Sequence, residues 1–231
     1  MDPKKNLIFL HGWGVSSKIF KPLFYFLRND FEIYAVDLPG FGAAPIENQM
    51  SLKDYAEFVL DFIQKNKIKD PIVAGHSFGG AAAAKSALLY PESISKLVLI
   101  GSAAIREPDL KIRALAKAAK IFKKFFPEKS RAAVLKILNL GETDYAKIEN
   151  PVLKETFKKI IKENLAAELA AIKIPTLVVW GEKDEATPLK EGIKTAELIR
   201  GAELVVVKNA GHFMFLEKPN EFAKIIKKFA L

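Results

Sequence analysis

The chain has no cysteine. That excludes disulfides, thiolate metal sites and a cysteine nucleophile, and it suits a reducing compartment, so a cytoplasmic location is expected. Histidine is scarce, at three residues in 231. No apolar run approaches the roughly 18 residues that a membrane helix needs, so no stable membrane insertion is expected. The opening MDPKKNLIFLHGWG carries two lysines. Its apolar run before His11 is too short for a secretory signal core, and no signal peptide is expected. Internal repeats and low-complexity linkers are missing too. No phosphate-binding or metal-ligand motif occurs, so no metal, cofactor or nucleic-acid partner is expected.

What remains has the make-up of a folded chain. Hydrophobic residues reach 50% and charged residues 27%, which removes it from the disordered class. A length of 231 residues fits a single domain carrying an insertion. The formal net charge of +9 has two readings: a lysine-rich solvated surface, or attraction for acidic partners.

Short apolar, β-branched runs alternate with helix-like stretches. The runs are Asn6–Leu10, Glu32–Val36, Pro71–Gly75, Lys96–Ile100, Thr176–Trp180 and Glu203–Val207. Most are continuously hydrophobic, as strands buried on both faces are. Helix candidates are Lys18–Arg28, Ser51–Asn66 with Ser51 as N-cap, Phe78–Tyr90, Pro188–Arg200 and Pro219–Ala230. The βαβα rhythm predicts an α/β fold with a doubly wound, mainly parallel sheet of about six strands. The rhythm breaks between Ala103 and Ala171, where helical segments dominate. Residues 1–102 and 172–231 are therefore expected to form the core, and 103–171 a helical cap over the carboxyl edge of the sheet. Within it, Ile112, Leu115, Ala119, Phe122 and Phe126 recur at helical spacing beside a stripe of Arg113, Lys117, Lys120 and Lys124. That segment reads as a cap helix with its apolar side on the pocket, or as a helix that meets a membrane surface or an acidic partner.

The sharpest motif is Gly75-His76-Ser77-Phe78-Gly79-Gly80 between a candidate strand and a candidate helix. A serine wedged there adopts a strained backbone that lifts Oγ clear of the chain. The residues two positions either side come close together, so only small residues fit, which explains Gly75 and Gly79. Ser77 is thus the candidate nucleophile. A serine hydroxyl needs a base, and the three histidines are His11, His76 and His212. His76 adjoins the serine, so its ring is expected to point away from Oγ. His11 follows the first strand and is expected to stiffen the backbone. His212 lies in the loop after the last strand, at the carboxyl edge, and is the expected base. Asp184, in Gly181-Glu182-Lys183-Asp184, is preferred over Glu182 and Glu185 as its orienting acid. The backbone N–H groups of Phe78 and Trp13 are the expected oxyanion donors.

His11-Gly12-Trp13-Gly14, the Asp37-Leu38-Pro39-Gly40-Phe41-Gly42 loop, GHSFGG, GEKDEATP and AGHFMFLEKPNEF together resemble the α/β-hydrolase superfamily. The resemblance covers both core segments. The chain looks most like the small capped carboxylesterases, and pimeloyl-carrier-protein methyl esterases, C–C bond hydrolases and cofactor-free perhydrolases resemble it too. The first strand starts almost at the N-terminus, so the hairpin that precedes it in most relatives is expected to be missing. Serine at the elbow disfavours dehalogenation.

The resemblance implies a carboxylic ester hydrolase working through Ser77, His212 and Asp184. An apolar pocket walled by Trp13, Phe78, Phe122, Phe213 and Met214 is expected, with short to medium acyl chains as substrates. The basic cap adds an anionic substrate or an acidic carrier protein to the expectation. The alternatives are a C–C hydrolase or lyase, a lactonase, a perhydrolase, and a hydrolase-like protein that binds a ligand without turnover.

Overall fold

Six parallel strands form one sheet: β1 (Lys5–Leu10), β2 (Phe31–Val36), β3 (Ile72–His76), β4 (Lys96–Ile100), β5 (Thr176–Gly181) and β6 (Glu203–Val207), in the order β2-β1-β3-β4-β5-β6. The structure, a computed structural model, describes residues 3–106 and 148–231. The central strands β3 and β5 are buried at every residue, which is why their sequences carry no polar alternation. Side chains still alternate between faces. In β1, Ile8 and Leu10 enter one core, whereas Leu7 and Phe9 enter the other.

Helices cover both faces. On one side lie α2 (Leu52–Lys65), α3 (Phe78–Leu89) and α5 (Leu189–Leu198). Tyr55, Ala81–Ala84 and Trp180 sit in that core. On the other side lie α1 (Lys21–Leu27) and α6 (Pro219–Ala230), which bury Leu23, Leu27, Phe222 and Ile226. The alanines of α3 let its backbone approach the sheet closely, so this helix is buried along most of its length.

Ser51 caps α2 as its position predicts, with the Asp54 amide donating to Ser51 Oγ at 3.3 Å and Asp54 Oδ2 accepting from Ser51 N at 2.6 Å. The expected helix over 18–28 is split into a 3₁₀ turn at Ser17–Phe20 and α1. Pro22 explains the break. It has no N–H for an intrahelical bond, but it is tolerated in the first turn of a new helix.

The chain runs from β1 to β2 toward one edge, then from β3 through β6 toward the other. The reversal between β1 and β3 opens a crevice at their carboxyl ends, where ligands bind in sheets of this kind. Between β4 and β5, α4 (Pro151–Ile160) lies near that edge, started by Asn150, whose Oδ1 accepts from Val152 N at 2.9 Å and Leu153 N at 3.1 Å. Among the described residues no helix is long and apolar enough to cross a membrane.

Candidate active site

Ser77 stands between the last residue of β3 and the first of α3, with φ 52° and ψ −116°. A non-glycine residue there carries strain of about 1–3 kcal/mol, and persists because its surroundings over-determine it. Those surroundings are visible. Ser77 N donates to Ile100 O at 2.9 Å, and Ser77 O accepts from Ala103 N at 2.9 Å and Gly80 N at 3.0 Å. A Cβ on Gly75 would lie 2.5 Å from the carbonyl carbon of Gly79, and one on Gly79 would lie 2.5 Å from His11 O. Glycine at both positions is a requirement of packing.

His212 follows β6, and its Nδ1 lies 2.8 Å from Asp184 Oδ2. Asp184 is 5% exposed overall. Its Oδ1 accepts from Thr187 N at 2.8 Å and Ala186 N at 3.0 Å, and its Oδ2 accepts from Thr187 Oγ1 at 3.0 Å. Burial by itself would raise the Asp184 pKa. The bonds from His212 and Thr187 outweigh it and hold the carboxyl below its ordinary range. Glu182 and Glu185 are exposed, and Glu182 Oε2 accepts from Asn209 N at 2.8 Å instead. Asp184 is the acid that meets the imidazole because the turn at Gly181 carries it inward.

Ser77 and His212 line one cavity of about 340 Å³, together with Gly12, Trp13, Phe78 and Phe213. Among the described residues no hydrogen bond joins Ser77 Oγ to His212. Trp13 packs its ring against Phe41, Phe78 and Phe157, with centroids 4.9, 5.3 and 4.9 Å away. Ile160 of α4 completes the wall on that side.

The other two histidines are structural in different ways. His11 is buried; its Nδ1 donates to Gly12 O at 2.8 Å, leaving Nε2 to accept from Leu38 N at 3.0 Å. It stiffens the loop as expected. Burial lowers its pKa, against opposing contributions from Gly12 and Asp37. His76 is 1% exposed, and its Nε2 donates to His212 O at 3.0 Å. Its ring lies 4.5 Å from that of His212, and its Nδ1 is buried without a partner among the described residues. Burial first, and His212 second, push its pKa down to about 3.

One expected pocket residue belongs elsewhere. Met214 is fully buried in the core beside α1 and α6 and does not line the cavity. It opens the helical turn Met214–Glu217, which directs it inward while the neighbouring Phe213 stays at the cavity. Phe122 lies outside the described residues, as does the basic stripe around it.

Three residues near the site are not foreseen from the sequence. Thr187 Oγ1 touches Asp184 Oδ2, Gly101 O at 3.1 Å and His212 Nδ1 at 3.3 Å. Gly101, with φ 47°, brings the end of β4 against Asp184 and His212. Arg106 lines the cavity. Only Thr187 left a trace, three residues after an aspartate and just before a helix, where a carboxylate caps backbone N–H groups.

Parallel strands wound on both faces, with a strained serine at the strand–helix turn and a His–Asp pair across the same crevice, define an α/β protein of the hydrolase type. Residues 5–219 match the family described as alpha/beta hydrolase fold. The chain belongs to that family. It is 29% identical to a pimeloyl-(acyl-carrier protein) methyl ester esterase of Wigglesworthia glossinidia brevipalpis, across 97% of this chain and 93% of the relative. It is 27% identical to the AB hydrolase superfamily protein YisY of Bacillus subtilis, across 98% and 91%. A crystal structure of a hydrolase from Pseudomonas aeruginosa superposes with a TM-score of 0.76 at 25% identity, covering 99% of this chain and 91% of that one. An esterase of Exiguobacterium antarcticum shares the fold, with a TM-score of 0.77 at 24% identity, across 99% and 92%.

Proposed function

We propose that the chain hydrolyses carboxylic esters with Ser77 as nucleophile, His212 as general base and Asp184 as the group that orients the imidazole. The observation that carries this reading is the shared cavity, with Ser77 on a strained turn and His212 Nδ1 bonded to a buried, ionised Asp184. Ser77 Oγ attacks the carbonyl carbon while its proton passes to His212 Nε2. The resulting oxyanion is bound by the N–H groups of Trp13 and Phe78, each donor being worth about 3 kcal/mol in such sites. Collapse breaks the bond to the leaving oxygen, which takes the proton from His212. Water then adds to the acyl group, delivering a proton to His212. The acid departs as Ser77 Oγ regains that proton.

The 340 Å³ cavity is at the small end for ligand sites, which favours small ester substrates. Residues 103–171 form the cap in this reading, with α4 as part of its roof. The enzyme works in the cytoplasm without metal or cofactor. The relative named for an ester on an acyl-carrier protein suggests that the acyl group is presented on such a carrier.

Turnover of p-nitrophenyl acetate and butyrate by wild type and Ser77→Ala tests the assignment. Loss of cleavage in the variant supports it, and wild-type turnover in the variant overturns it. A C–C hydrolase on the same residues would instead ignore the ester panel and cleave a ketonic substrate.

A further inference from the structure

Of the described residues that line the cavity, Arg106 alone carries a permanent charge; the rest are apolar, aromatic, hydroxyl-bearing or imidazole. Arg106 follows β4, and the segment after α4 anchors it. Its carbonyl accepts from Asn164 Nδ2 at 3.1 Å, and Leu165 N donates to Ala104 O at 2.9 Å. Arg106 is exposed and lines the cavity, yet the surrounding protein strips enough water to lower its pKa, while the charge of Glu191 opposes that shift. Arginine remains cationic at any working pH.

A cation at the wall of a small cavity is poorly matched to a plain hydrocarbon acyl chain, which leaves the guanidinium short of hydrogen-bond partners. A carboxylate matches it in charge and in planar two-pronged geometry. Lysine at this position would supply the charge without the fork.

We propose that Arg106 forms a carboxylate subsite, so that the preferred substrates are small esters bearing a free carboxylate close to the scissile carbonyl. The inference rests on the ester-hydrolase reading above and specifies its substrate class. The carboxylate sits on the acyl part or on the alcohol part of the ester, and the substrate pairs below distinguish the two.

The experiment measures kcat/KM for monomethyl glutarate against dimethyl glutarate, and for acetoxyacetate against methyl acetoxyacetate. Wild type is expected to favour the acid in at least one pair. In Arg106→Met that acid-to-neutral ratio falls roughly 10- to 100-fold, the value of a charge-assisted hydrogen-bonded pair. In Arg106→Lys it falls less. No acid preference in wild type, or the same ratio in Arg106→Met, overturns the subsite. If Arg106→Met fails to fold, the ratio in the neutral, polar Arg106→Gln decides in the same way. Calorimetric titration of glutarate into Ser77→Ala protein needs no turnover. Binding that disappears on adding Arg106→Met supports the subsite even if no ester is cleaved, and binding that persists overturns it. Failure of ester hydrolysis with Arg106-dependent binding overturns the catalytic reading alone.

Discussion

His76 makes folding stability depend on acidity. Its ring is 1% exposed, and its pKa falls from 6.5 to about 3 on folding. The folded chain refuses a proton that the unfolded chain accepts below pH 6.5, so stability is full above that value and declines as pH falls toward 3. A difference of one bound proton changes stability by about 1.4 kcal/mol per pH unit. Lowering the pH from 6.5 to 5 therefore removes roughly 2 kcal/mol through His76. His11 is shifted in the same direction and adds to the slope. The carboxyls of Asp37, Asp54 and Asp184 are lowered from 3.8, so their contribution is lost at more acid pH. Urea unfolding at pH 7.5, 6 and 5 measures the slope, and His76→Phe separates the His76 part. The variant loses the bond to His212 O, about 1 kcal/mol, and starts less stable. Its stability should then fall less steeply, the difference shifting by roughly 2 kcal/mol in its favour by pH 5, so that the two curves cross. Parallel curves would refute the reasoning, because they would mean that the folded state takes up the proton as readily as the unfolded chain.

Gly79→Ala sets a gain in helix propensity of about 1 kcal/mol against a Cβ pressed onto the backbone of Leu10 and His11. The backbone cannot give way, so the overpacking dominates and a net loss of about 1–3 kcal/mol is expected in a urea titration. Asp184→Asn removes the anion that faces His212 Nδ1 and should lower kcat for p-nitrophenyl butyrate by roughly 10³- to 10⁴-fold; a loss below tenfold contradicts the assignment. Thr187→Val deletes the hydroxyl between Asp184 and Gly101 O and should cost about tenfold in kcat, with Thr187→Ser restoring most of it.

The sheet was readable because its inner strands are buried on both faces, and only long apolar runs such as Ile72–Ala74 and Leu177–Trp180 satisfy that. The elbow was readable because backbone contact at Gly75 and Gly79 admits no other residue. His212 stood out through scarcity, and Asp184 through its place after β5. Other features depend on elements far apart in the chain. Arg106 shares a cavity with Ser77 because β3 and β4 end side by side, and no local pattern marks it. Met214 was misplaced because one residue of rotation at the start of a helical turn separates cavity from core. The split of the expected 18–28 helix ahead of Pro22 was written in the sequence, in a proline whose missing N–H suits the first turn of a new helix.

Covalent labelling with a fluorophosphonate, read by intact mass and peptide mapping, tests the central claim most directly. One adduct per chain on Ser77 is predicted, absent in Ser77→Ala and formed much more slowly in His212→Ala. An adduct on another residue, or none in a folded wild-type protein, would contradict the account.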